Sequence, residues 1–264
     1  MSTWPHGLIF PRPWRNSMAD PAYRASSAQL GPDVQLGVGC VIAERVQIGA
    51  RCQIGHHVVL HPGSVVEAGV RIDDHAVIGK QPMRAAASAT TQAATLDPAW
   101  IGEGSLIGAH AVVYAGCTLG PQVLVADHAT VREDVVVGAR TIIGRGVAVE
   151  QACRIGAHCK LETNAYLTAF SLLEDHVFLA PGVLTSNDAY LGRTEARLTR
   201  FKGITIRRGG RVGVGAVLLP GLEVGPDAVI GAGAVLTRDA EARMVYLGVP
   251  ARPVRPVPNE QWLR

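Results

Sequence analysis

Ile101-Gly-Glu-Gly-Ser-Leu-Ile107-Gly-Ala-His-Ala-Val-Val113-Tyr-Ala-Gly-Cys-Thr-Leu119-Gly-Pro-Gln-Val-Leu-Val125 carries an aliphatic residue every six positions. A small or polar residue usually follows each one, and another small residue stands four places on. The period is six, neither the 3.6 of a helix nor the 2 of an isolated strand. Outward from this stretch the pattern holds in three runs. The first has Leu30, Leu36, Ile42, Ile48, Ile54, Leu60, Val66, Ile72 and Ile78. The second runs from Ile101 through Ile143, Val149, Ile155, Leu161, Leu167, Leu173 and Leu179 to Thr185, and the third from Ile206 to Leu236.

Each hexad makes a short strand and a turn, with only the aliphatic residue and the small residue four places later facing inward. Three hexads close one triangular coil, and the coils stack as parallel strands about 4.8 Å apart, so thirty hexads make about ten coils. Pro32, Pro62, Pro121, Pro181, Pro220 and Pro226 each come two places after an inward residue, where a turn accepts a preset φ. The composition agrees. Of 264 residues 48% are hydrophobic but only 5% aromatic, as an interior one triangle wide requires. Cys40, Cys52, Cys117, Cys153 and Cys159 all fall four places after an inward residue, which makes them core fillers and neither disulfide partners nor metal ligands. The four tryptophans, Trp4, Trp14, Trp100 and Trp262, are expected in the caps and a loop.

The chain divides into an N-terminal cap (1–29), the β-helix (30–239) and a C-terminal tail (240–264). Two aperiodic insertions, 84–100 and 191–205, interrupt the coils. Unperiodic loops in a solenoid usually carry function. The second holds Arg193, Arg197, Arg200 and Lys202 and reads as an anion-binding lid or a solvated loop. A net charge of +3 does not point to nucleic acid. No run reaches the length of a membrane helix, and Met1-Ser-Thr-Trp-Pro-His-Gly-Leu-Ile-Phe10 does not read as a secretion signal. The expectation is a cytoplasmic protein without membrane partners.

These repeats resemble the hexapeptide-repeat, left-handed β-helix acyltransferases; the left hand and a homotrimeric assembly are implied by the resemblance. Lys160-Leu-Glu-Thr-Asn164, Leu173-Glu-Asp-His-Val-Phe-Leu-Ala-Pro-Gly182, Thr185-Ser-Asn-Asp188, Ile230-Gly-Ala-Gly-Ala-Val-Leu-Thr-Arg-Asp239 and Leu247-Gly-Val-Pro-Ala-Arg252 follow one another as in the nucleotide-sugar N-acetyltransferases. That resemblance implies acetyl-CoA as co-substrate, no metal, and an amino group on a nucleotide-linked sugar as acceptor. It implies cofactor contacts at Ala216, Gly231, Ala232, Arg238 and Arg252, and substrate contacts at Asn187, Asp188, Arg193 and Lys202. Asn164 matches the family Asn that orients the reacting groups.

Amide formation needs a group to take the amine's proton, and here the residues leave alternatives. Stacked coils bring His57, His75, His110 and His128 into one corner column, with His158 and His176 paired elsewhere. In Val125-Ala126-Asp127-His128 the place of the lipid A acyltransferases' histidine is taken by Asp127, so Asp127 and His128 stand as further catalytic candidates. Two rival readings are an O- or N-acyltransferase on another small acceptor, and a zinc enzyme like the γ-type carbonic anhydrases. His56 and His61 have a suggestive spacing for zinc but lack a third ligand.

Overall fold

The computed structural model describes residues 22–89, 91 and 95–263. Each of the thirty expected inward residues lies in a strand of its own, and the strands form three parallel sheets. Face A runs from Tyr23–Arg24 to Val235–Leu236, face B from Gln29–Leu30 to Glu223–Val224, and face C from Gln35–Leu36 to Met244–Leu247. The chain visits A, B and C in turn. Register repeats every coil: Val112 pairs with Thr130, Thr130 with Ala148 and Ala148 with Tyr166. Residues 18 apart are therefore neighbours along the axis.

The helix is about one coil longer than the hexads indicate. Tyr23–Arg24 adds a strand before the first hexad, and Met244–Leu247 pairs in parallel with Val229–Ile230 after the last. Arg252–Pro256 then folds back antiparallel on Met244–Leu247 and closes the exposed edge of face C. The part of the tail from 244 to 256 is thus the end of the solenoid. Tyr23–Arg24 keeps the six-residue spacing but puts Arg24 where the hexads carry an aliphatic residue, and Met244–Leu247 breaks the spacing, which is why the aliphatic period passed over both.

The inward aliphatic side chains form one continuous core. At the inward position four places on, Cys, Ser, Thr, Ala and Val alternate, and several of the polar ones make the same bond. The Cys40 thiol donates to Gly55 O at 2.9 Å, the Ser105 hydroxyl to Gly120 O at 3.2 Å and the Thr141 hydroxyl to Gly156 O at 2.8 Å. Each bond reaches the carbonyl fifteen residues on. A buried hydroxyl or thiol costs little there, because its donor is satisfied. All five cysteines are buried and free, and burial pushes Cys117 and Cys153 up to about 12, out of reach of thiolate chemistry at neutral pH.

Both insertions leave at the same corner, between face A and face B. One joins Val77–Lys80 to Trp100–Ile101 and the other joins Leu184–Thr185 to Thr205–Ile206. Trp100, expected in a loop, is instead a strand residue of face B; its ring faces outward. Trp262 lies in the terminal segment, where Arg243 stacks on its ring at 4.0 Å and its indole N–H donates to Val257 O at 3.1 Å. Trp4 and Trp14 lie outside the described residues.

Candidate functional site

Turns at the corner between faces C and A place one residue per coil in the left-handed region, three positions after the inward residue. His57, His75, His110, His128 and Asn164 occupy this position with φ between 54° and 60°. Side chains so fixed must stack. The four imidazoles lie 5.0, 4.9 and 5.1 Å apart, within 13° of parallel. His158 and His176 stack at 4.8 Å at the corner between B and C. Parallel rings at this spacing hold their nitrogen lone pairs parallel too. They cannot converge on an ion that needs each nitrogen at about 2.0–2.1 Å. His56 and His61 point to different parts of the coil: the His56 Nδ1 accepts from the Val38 amide at 3.1 Å, while His61 lies on face A, lowered by burial and by Lys80. Among the described residues no group of three or more ligands is arranged for a metal.

Asp127 is tied down. Its Oδ1 accepts the Ala109 amide of the coil below at 2.9 Å, as Asp74 accepts the His56 amide at 2.6 Å and Asp175 the Ala157 amide at 2.7 Å. Three carboxylates in the same turn position and the same bond describe a structural cap. Gly108 permits it, since a Cβ there would meet the Asp127 carboxylate. Asn164 is exposed, two coils above His128 in the same column, and its side chain makes no such bond among the described residues.

At the last coil of that corner the candidates separate. Ala216 is an inward core residue, fully buried, with its amide bound to Gly213 O and its carbonyl to the Leu184 amide, so its side chain touches no ligand. The Gly231 amide donates to Tyr246 O, and Leu247 lies where its Cβ would be, so the turn is covered on that side. The Gly233 amide donates to Val214 O. Of the three turn amides only that of Ala232, which is exposed, makes no backbone bond among the described residues. Arg238 and Arg252 are exposed; the Ala251 amide bonds Val235 O at 2.8 Å, which brings Arg252 against the last strand of face A, just before Arg238.

The second insertion is organised by Asp188. One oxygen accepts the Tyr190 amide at 2.9 Å, and the other accepts the Gly192 amide at 2.9 Å and the Arg197 guanidinium at 3.0 Å. Burial alone would raise this carboxyl, but those donors outweigh it and hold it below its ordinary value. Asn187 O accepts the Lys202 amide at 3.1 Å, closing the loop at its root, while the Arg193 and Lys202 side chains are exposed. Asp188 therefore builds the loop, and Arg193 and Lys202 remain available to a ligand.

A cluster that periodicity did not single out lies on face A between the two insertions. Tyr114, Arg132, Glu150 and Thr168 are spaced by 18, so they follow one another along the axis. The Tyr114 ring lies between Lys80 and Arg132, each 5.2 Å from its centroid. Arg132 makes a two-pronged pair with buried Glu133, at 2.8 and 2.9 Å, and a longer contact of 3.3 Å with Glu150. It also reaches Thr91 of the first insertion at 3.4 Å. Burial raises the Glu150 carboxyl, Arg132 offsets part of this, and Glu133 adds to it. Reading the sequence at a period of 18 finds this column; a period of six does not.

A family model described as the hexapeptide repeat of succinyl-transferase matches residues 129–169 and 203–238, and the GMPPB C-terminal domain model matches 36–142. The chain therefore carries hexapeptide repeats similar to those of the first of these families. Among curated relatives, this hexapeptide-repeat protein is 28% identical over 210 residues to the bifunctional protein GlmU of Alkalilimnicola ehrlichii, covering 80% of this chain and 35% of that one. It is 32% identical to a serine acetyltransferase of Buchnera aphidicola, over 33% of this chain and 34% of that one. A galactoside O-acetyltransferase of Escherichia coli is 34% identical over 31% of this chain and 42% of its own length. The chain thus spans well under half the length of these relatives. Among solved structures it is similar to a UDP-N-acetylglucosamine acyltransferase of Francisella novicida, with 17% identity, a TM-score of 0.47, and 91% of this chain and 70% of that one covered. A hexapeptide-repeat acetyltransferase of Vibrio cholerae complexed with acetyl coenzyme A has 21% identity and a TM-score of 0.41, covering 47% and 71%.

Proposed function

We propose that this hexapeptide-repeat protein is an acetyltransferase that moves an acetyl group from acetyl-CoA to the amino group of a nucleotide-linked amino sugar. The observation that carries the acyl-transfer part is the sequence similarity to curated acetyltransferases at 32–34% identity. Those proteins act, by their names, on serine and on galactosides. The ordered segments from Lys160 to Arg252 favour the amino sugar nucleotide over those acceptors. In this reading acetyl-CoA lies along the last coils, with Arg238 and Arg252 at its phosphates and Lys202 and Arg193 facing the acceptor's diphosphate. The Ala232 amide, which makes no backbone bond among the described residues, is the donor we assign to the thioester oxygen as it gains charge.

The working unit is taken to be a homotrimer, as the resemblance implies, and light scattering checks it. The function is tested by incubating the protein with acetyl-CoA and a panel of UDP- and dTDP-linked amino sugars. Release of free thiol together with an N-acetylated product is expected. No release with any member, with CoA also failing to bind, would sink the reading.

A further inference from the structure

Resting on the acetyltransferase reading, the geometry points to Glu150, on face A between the two insertions, as the group that binds the acceptor's ammonium and takes its proton. Arg132 is already matched by Glu133, which is only 5% exposed and holds it through two short bonds. Glu150 receives the longer leftover contact, so the three groups carry one net negative charge concentrated on it. A half-buried carboxylate with a weak partner is completed by a cation.

The surroundings define what kind. Tyr166 is the outward residue of the next strand on face A, and its phenol is raised by burial and by the charge of Glu150. Register places Gln151 directly above Glu133 at the corner, and Gln151 is 6% exposed with its amide nitrogen unpartnered among the described residues. A buried donor without an acceptor calls for a ligand oxygen. An ammonium beside Glu150 and an oxygen beside Gln151 fit an amine flanked by hydroxyl or ring oxygens, as in an amino sugar. Arg238 lies near the same corner, four strand spacings or about 19 Å further along. The second insertion, with Arg193, stands between them.

The step balances. Glu150 takes one proton from the ammonium, and the freed amine attacks the thioester carbonyl. The C–N bond forms, the C–S bond breaks, and the departing CoA thiolate takes the second proton from nitrogen. Glu150 then releases its proton to solvent. The charged or titratable groups facing it are Arg132, Glu133 and Tyr166, with the Cys153 thiol beneath in the core. Because Glu150 acts deprotonated, kcat/KM rises with pH through its titration, which burial moves upward from the ordinary carboxylate value.

The test compares wild type, E150Q and E150D. E150Q keeps the shape and leaves the Arg132–Glu133 pair intact, so its thermal midpoint controls for folding. Expected is a loss of about 10²–10⁴-fold in kcat with the acid limb of the pH profile gone, and partial recovery in E150D. Binding of each amino sugar nucleotide and its N-acetylated counterpart is measured in parallel by calorimetry. Wild type should prefer the amino form and E150Q should not. Turnover in E150Q within threefold of wild type, with an unchanged pH profile, overturns the proposal. If wild type transfers no acetyl group, the function reading fails, and the binding arm decides this one: equal preference in both proteins, or binding of neither form, overturns it.

Discussion

The imidazole rings of His110 and His128 lie 5.1 Å apart and only 2° from parallel. This follows from the backbone, since both residues sit in the left-handed region with φ of 57° and 58° at the same turn of successive coils. The strain of that conformation is about 1–2 kcal/mol for a residue with a Cβ and absent for glycine. H128G is expected to unfold in denaturant within about 1 kcal/mol of wild type, whereas H128V should lose about 1–2 kcal/mol, since a branched Cβ tolerates the region least. Elemental analysis should find no stoichiometric zinc. Zinc bound one per chain and lost in the histidine variants would contradict the parallel-ring argument.

Asp127 and Ala109 are joined by the cap bond of 2.9 Å, so removing the carboxylate leaves a turn amide without its partner. Because this bond is exposed and water can take the amide, D127A should lower stability by about 0.5–1.5 kcal/mol. Below its own melting range it should retain the turnover of wild type. Calorimetry and an acetyl-transfer assay at two temperatures separate the effects. A large loss of kcat at full foldedness would return Asp127 to the chemistry.

The core was legible because only inward residues are constrained every six positions. Each aliphatic residue from Leu30 to Leu236 found its strand, and the cysteines fell where a small inward residue is required. Outward chemistry follows a different period. Arg132 meets Glu150, Asp74 meets His56 and Gln122 meets Arg140, each across 18 residues. Such pairs look unrelated along the chain. Ala216, four places after Val212, is an inward position, and its side chain is buried in the core.

Asp188 holds the second insertion through bonds to Tyr190, Gly192 and Arg197. Its carboxyl is lowered from the ordinary 3.8, so the ordering it provides is complete above that pH and is lost as pH falls through the lower folded value. D188N should therefore be cut faster by trypsin at Arg193, Arg197 and Arg200 at neutral pH, as seen by limited proteolysis and mass spectrometry. An acid protease such as pepsin should cut the wild-type loop faster as pH falls from 4 toward 2, and D188N should show less of that change. Identical cleavage of the two proteins at every pH would show that the loop stands without this carboxylate.

All five thiols are buried, and Cys117 and Cys153 are pushed to about 12 by burial. A thiol reagent attacks the thiolate, so both deprotonation and access are denied in the folded protein. Ellman's reagent at pH 8 should label none of them within an hour and all five in guanidinium. Rapid labelling of a single thiol without denaturant would locate an opening in the stack.

Asn164 shares its corner with the histidines and with the Ala232 turn, three strand spacings or about 14 Å along the axis. Its φ of 59° means that substitution changes two things, the amide group and the backbone strain. N164A loses the amide and keeps the strain; N164G loses the amide and relieves it. If the amide orients the reacting groups, both variants should fall in kcat/KM by about tenfold or more while their thermal midpoints stay within a few degrees of wild type. If Asn164 serves only the turn, N164G should match wild type in both turnover and stability, and N164A should differ in stability alone. The pair of variants thus separates a positioning role from a turn role without any assumption about where CoA lies.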